Sequence, residues 1–126
     1  MEKVYFDHAA TSPVHPEVIE VIYEAMKNHY GNASSIHNYG RDSRRIVDNA
    51  RIVFAKSIGA KPNEIIITSG GTESDNTAII ETALKRQQDG KHIITSAVEH
   101  HAVLRPMEYL ETLGFEVTYL PVNEKG

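Results

Sequence analysis

Residues Ile65 to Asn76 read IIITSGGTESDN, an apolar run of strand type that breaks at Ser69-Gly70-Gly71 and continues into helix-compatible sequence. In a parallel sheet that junction is where phosphate binds. Two glycines let the backbone turn sharply and bring its N–H groups close to an anion, and the following helix points its positive dipole end at the same spot. Thr72 is expected to cap the new helix, with Asp75 as reciprocal acceptor, and to donate to a phosphate oxygen. Plain turn chemistry is the alternative for the glycine pair. No GxGxxG follows the strand and no Gly-Lys-Ser/Thr follows the glycines, so the dinucleotide fingerprint and the P-loop are both excluded. A mononucleotide-sized or cofactor-sized phosphate site remains.

Working outward, helix and strand alternate. Pro16 to Tyr30 carries Val18, Ile22, Ala25, Met26 and Tyr30 at helical spacing before Gly31. Gly31 to Gly40 (GNASSIHNYG) has no sustained period and reads as a functional-length loop. A second helix is expected from about Arg41 to Ile58, closed by Gly59. Then follow a strand at Glu64–Thr68, a helix at Thr72–Gln88, a strand at His92–Ser96, a helix at Ala102–Leu113 and a strand at Phe115–Val122. Short links between these elements imply parallel pairing through right-handed crossovers, hence an open α/β sheet. Three strands make a thin sheet, and Asn123-Glu124-Lys125-Gly126 is a turn signal, so the sequence predicts the N-terminal piece of a larger α/β domain. A complete small protein is the alternative.

The chain has 126 residues, 40% of them apolar and 24% charged, which is ordinary globular composition. No apolar stretch approaches a membrane span, and Met1-Glu2-Lys3 opens no cleavable signal, so a soluble cytoplasmic chain with no membrane partner is expected. A net charge of −4 argues against an obligatory nucleic-acid partner. Arg41, Arg44, Arg45 and Arg51 alternate with Asp42 and Asp48 at helix-pair spacings and read as a solvated face laced with ion pairs. Without cysteine there is no disulfide framework, thiolate zinc site or cysteine nucleophile in these residues.

Glu99-His100-His101 falls just past the carboxyl end of the His92–Ser96 strand, the edge where open α/β sheets bind ligands. An imidazole there can stack on an aromatic ring or move a proton near neutral pH. Surface decoration is the plainer account of a loop histidine. A metal site with His8 or His37 is a third, opposed by the divergent directions of adjacent histidines, and no metal is expected.

Taken together, Tyr5 to Pro13 (YFDHAATSP), the Gly31-Asn32 loop with Ser34, Ser35 and His37, Thr68 to Asn76 (TSGGTESDN) and Glu99 to Leu104 (EHHAVL) resemble cysteine desulfurases of the pyridoxal-phosphate class V aminotransferase superfamily. The resemblance covers nearly the whole chain. It implies an α/β fold, with N-terminal helices over residues 1–60 and, over 61–126, the first strands of the open, largely parallel sheet of a fold-type I large domain. It also implies pyridoxal 5'-phosphate as cofactor and L-cysteine as substrate, with L-alanine and an enzyme persulfide as products. The sulfur would pass to an acceptor or scaffold protein for iron-sulfur clusters or thiolated cofactors, and the enzyme would be a homodimer.

Residue by residue, the resemblance makes Gly71 and Thr72 the backbone and side-chain donors to the cofactor phosphate. His100 would be the imidazole that stacks on the ring and takes part in proton transfer, and Ala10 and Thr11 would lie near the bound amino acid. Two departures stand out. Ala33 occupies the place of the family's usual proline in the Gly-Asn loop, and none of the seven lysines lies in a Ser-x-His-Lys context. The Schiff-base lysine, the aspartate that pairs the pyridine nitrogen, the carboxylate-binding arginine and the persulfide cysteine belong to later parts of such enzymes, so residues 1–126 alone are expected to be inactive. The resemblance leaves open a selenocysteine lyase or small-amino-acid aminotransferase of the same superfamily. A non-enzymatic phosphate-binding module is the reading that applies should the protein end at Gly126.

Overall fold

The computed structural model describes residues 3–126, which divide into two compact units, the first reaching Ile65 and the second spanning Ile66–Gly126. Each is a body of its own.

In the first unit α1 spans Pro16–Asn28, with Pro16 supplying a first-turn φ at a position whose N–H would be unpaired anyway. Helix α2 spans Asn38–Ile58 and ends at Gly59 in the left-handed region (φ 69°), where a side chain would be strained. It begins earlier than periodicity indicates. His37 caps it, Nδ1 accepting from the Gly40 N–H at 3.3 Å, so the last three residues of the expected loop are its first turn. Gly40 lies buried within that turn because a Cβ would run into the Ser35 and Asn32 carbonyls. A Cβ on Gly31 would meet the Tyr39 backbone in the same way. The Ser43 hydroxyl donates to the His29 carbonyl at 3.0 Å and ties α2 to the end of α1. On the arginine face Arg44 pairs with Asp48, Arg45 with Asp42 and Arg51 with Asp48, at 3.4 to 3.6 Å. These are solvated i,i+3 and i,i+4 pairs of small energetic weight.

The strand expected at Glu64–Thr68 is not formed. Pro62–Glu64 is a single 3₁₀ turn, with the Ile65 N–H donating to the Pro62 carbonyl, and residues 65–68 pair with no strand among the described residues. The β-rich composition of Ile65-Ile66-Ile67 sets an extended preference, but a ladder requires a neighbour.

In the second unit α3 spans Gly71–Asn76, continues as a five-residue π turn at Thr77–Glu81 and closes as α4 at Thr82–Lys85. That helical run stops three residues short of the expected Gln88. Strand β1 (His92–Ser96) pairs in parallel with β2 (Glu116–Leu120), His92 opposite Glu116 and Ser96 opposite Leu120. Helix α5 (His101–Thr112) makes the crossover and packs on α3, the π turn and β2. Its Ala102, Pro106 and Leu110 recur every four residues, and with Met107 and Phe115 they form the buried core of this unit.

Candidate functional site

Thr68 to Thr72 makes the passage from extended chain to helix through Gly70, itself fully extended (φ 162°, ψ −179°). The sharp glycine-dependent turn expected there is absent, since extended backbone is open to any residue. The surroundings are open: a Cβ on Gly70 or Gly71 would meet nothing within 4 Å.

The cap also differs from expectation. Gly70, not Thr72, is the N-cap, and Asp75 makes no return bond. Glu73 does that work instead. Its Oε2 accepts from the Ser69 N–H at 2.7 Å and from the Ser69 hydroxyl at 2.6 Å. Those two bonds, the hydroxyl's first, hold the Glu73 carboxyl below its ordinary pKa. The Thr68 and Ser74 hydroxyls share a bond of 2.7 Å and both lie 3.2 Å from the Gly70 carbonyl, which accepts from whichever of the two does not donate to the other. Residues 68–74 are therefore set by their own side chains, and the Thr72 hydroxyl takes no part among the described residues. With the first N–H groups of α3, which no preceding turn can accept, it makes an exposed cluster of donors.

His100 is the N-cap of α5. Its Nδ1 accepts from the Ala102 N–H at 3.0 Å, while its carbonyl accepts from Val103 and Leu104. An acceptor at Nδ1 places the proton of the neutral ring on Nε2, which faces away from the cap. His101 stands beside it, ring centres 6.2 Å apart at 56°, and is the first residue of the helix.

Asn76 joins the two helix starts. Its Nδ2 donates to the Thr72 carbonyl at 2.8 Å and to the Ala102 carbonyl at 3.2 Å. Gly71, Thr72 and His100 thus belong to one packed body. Neither Asn76 nor Glu73 stands out in sequence by residue type; the spacing of Ser69 and Glu73, four apart across a helix start, is the signal that marks the second.

Ala10 and Thr11 belong to the first unit. Their N–H groups both donate to the Asp7 carbonyl, at 3.1 and 3.2 Å, and the Thr11 hydroxyl bonds the Tyr5 hydroxyl. The Tyr5 and His8 rings meet edge to face at 5.0 Å. No group of three or more metal-ligating side chains occurs among the described residues, and no helix among them is long and apolar enough to cross a membrane.

The aminotransferase class-V profile matches residues 4–126. The chain is 56% identical to cysteine desulfurase IscS of Dictyoglomus turgidum over 124 residues, 98% of this chain and 32% of that protein. It is 51% identical to cysteine desulfurase IscS of Methanosarcina thermophila over 123 residues, 98% of this chain and 30% of the relative. Among solved structures, a NifS-like protein superposes with a TM-score of 0.89 at 39% identity, covering 96% of this chain and 33% of its own. SspA in complex with cysteine superposes with a TM-score of 0.83 at 40% identity over 92% of this chain and 33% of its own. The chain spans about a third of the length of these relatives. With its match running from residue 4 to residue 126, the chain belongs to the aminotransferase class-V family.

Proposed function

We propose that residues 1–126 form the N-terminal part of a pyridoxal-phosphate-dependent cysteine desulfurase, which converts L-cysteine to L-alanine and an enzyme-bound persulfide. The donor cluster at Gly71 and Thr72 carries this reading. A dianionic phosphate needs several N–H and O–H donors and room to approach them. The α3 start offers the Gly71 and Thr72 N–H groups and an uncommitted Thr72 hydroxyl, and no neighbouring atom lies within 4 Å of where a Cβ on Gly70 or Gly71 would stand, so the approach is open. The residues present therefore fit the cofactor.

When bound, pyridoxal phosphate supplies the electron sink for carbanion chemistry at the amino-acid Cα. The work of the chain is to hold and orient. Gly71 and Thr72 fix the phosphate end. His100 offers an imidazole whose plane is set by its cap bond, and it gives or takes a proton at Nε2, since Nδ1 is occupied. By resemblance the substrate amino acid is assigned to the loop of Ala10 and Thr11, whose N–H groups both donate to the Asp7 carbonyl.

The names and identities of the relatives support this assignment, and one solved neighbour is described as a complex with cysteine. Residues 1–60 belong by this reading to an N-terminal region and 61–126 to the cofactor-binding large domain. By resemblance we place the whole enzyme in the cytoplasm, as a homodimer passing sulfur to an acceptor or scaffold protein for iron-sulfur cluster or thio-cofactor assembly. The test is the full-length protein incubated with pyridoxal phosphate and L-cysteine. Stoichiometric cofactor and equal yields of alanine and sulfide under reducing conditions are expected. Alanine formed from selenocysteine but not from cysteine would move the chain to another branch of the family.

A further inference from the structure

Helix α5 carries a proline in its interior, Pro106, fully buried. A proline has no N–H, and its ring crowds the carbonyl four residues back. That carbonyl belongs to Ala102. It is deprived of its helical donor inside a buried stretch, where an unpaired carbonyl is costly. Asn76 supplies the missing donor from another helix, at 3.2 Å, and spends its second N–H on the Thr72 carbonyl at 2.8 Å. Both hydrogens of the Nδ2 group are then used, one on each carbonyl. Ala102 is also the residue whose N–H holds His100 Nδ1. One peptide group after another, the path runs from the Thr72 carbonyl through Asn76 to Ala102 and from Ala102 to the imidazole.

We propose that Asn76 is a positioning residue that keeps the His100 imidazole in register with the Gly71–Thr72 donors, and that Pro106 creates the vacant carbonyl on which it holds. The inference rests on the reading of Thr72 and His100 as cofactor-binding residues. A merely structural Asn76 would need only to pair the Ala102 carbonyl. A positioning Asn76 must also connect it to Thr72.

The two roles separate in a double-variant cycle on the full-length protein, read by thermal unfolding of the cofactor-free form, by the dissociation constant of pyridoxal phosphate and by imidazole ¹⁵N shifts of His100. Asn76→Ala should lower the melting temperature and weaken cofactor binding at least tenfold. Adding Pro106→Ala restores an N–H to the Ala102 carbonyl, so N76A/P106A should regain melting temperature, which also guards against a single variant that fails to fold. Cofactor binding should stay at least tenfold weak in the double variant, and the His100 nitrogen shifts should stay displaced, because the tie to Thr72 is still missing. Recovery of affinity together with melting temperature would reduce Asn76 to a structural donor and overturn the proposal. Additive losses of stability from N76A and P106A would overturn the clamp itself, even in a protein that binds cofactor. A wild-type protein that retains no pyridoxal phosphate would defeat the functional reading and the positioning role with it, while the stability cycle in the cofactor-free form would still report the clamp.

Discussion

Glu73 reaches back across the start of α3 to hold Ser69 by both its N–H and its hydroxyl, at 2.7 and 2.6 Å. Both bonds favour the carboxylate over the acid, so its pKa in the folded state lies below the ordinary one. The sign of the linkage follows. The stability this contact contributes is present above the unfolded-state pKa and is lost as pH falls through the lowered folded-state value. The Ser69 amide proton should therefore titrate with a midpoint below the usual glutamate range in an NMR pH series. Glu73→Gln should abolish that titration, since an amide keeps an acceptor but has no charge to lose. A Ser69 midpoint at or above the ordinary glutamate value would contradict the contact.

Because the Ser69–Glu73 pair sets the turn, Thr72 is left free for a ligand. Thr72→Ala should weaken pyridoxal phosphate binding by one charge-assisted hydrogen bond, about 1.5–3 kcal/mol. That corresponds to roughly 10- to 150-fold in dissociation constant. Thr72→Ser keeps the hydroxyl and should remain within a few-fold of wild type. Equilibrium dialysis of the full-length protein measures both, and equal affinities for the Ala and Ser variants would remove the hydroxyl from the phosphate site.

The sequence placed α1, β1, α5 and β2 within a few residues, because each depends on local signals: Pro16 at a helix start, a β-branched run at Ile93-Ile94, Gly114 after α5. It failed where a partner decides. The Ile65–Thr68 stretch has strand composition but no ladder, and the Asn38 turn belongs to α2 because a histidine side chain caps it. The cap at α3 departs from the one that residue types indicate for a similar reason. Thr72 and Asp75 have the right residue types, but the Ser69 N–H and hydroxyl both bond Glu73. Asn76 was invisible, since its partner at Ala102 lies 26 residues away and its use depends on a carbonyl that Pro106 leaves empty.

Gly40 provides a test of close approach in the first unit. A Cβ there would press on the Ser35 and Asn32 carbonyls, the latter at 2.7 Å, and both are backbone atoms with little freedom to move. Gly40→Ala should destabilise by about 1–3 kcal/mol, the usual cost of overpacking. Gly90→Ala is the matched control, because a Cβ at Gly90 meets nothing within 4 Å and its φ is not in the left-handed region. Thermal or denaturant unfolding of the full-length protein compares them, and equal melting temperatures for the two variants would refute the close approach.

Leu110 is the most enclosed side chain of the second unit, with no exposed surface, on the same stripe of α5 as Ala102 and Pro106. Leu110→Ala removes three buried carbons and leaves a cavity between the helix and β2, and should cost about 2–5 kcal/mol. Its effect on cofactor should be indirect. The Nδ1 cap of His100 and the Asn76 bonds lie two turns away at the other end of α5, so a folded L110A protein should bind pyridoxal phosphate within a few-fold of wild type while melting earlier. The pair of measurements, melting temperature and cofactor affinity on the same variant, separates the core that holds the unit from the residues that face the ligand. Loss of affinity in step with stability would mean that His100 is positioned by the packing of α5 as a whole and not by the local bonds at its first turn.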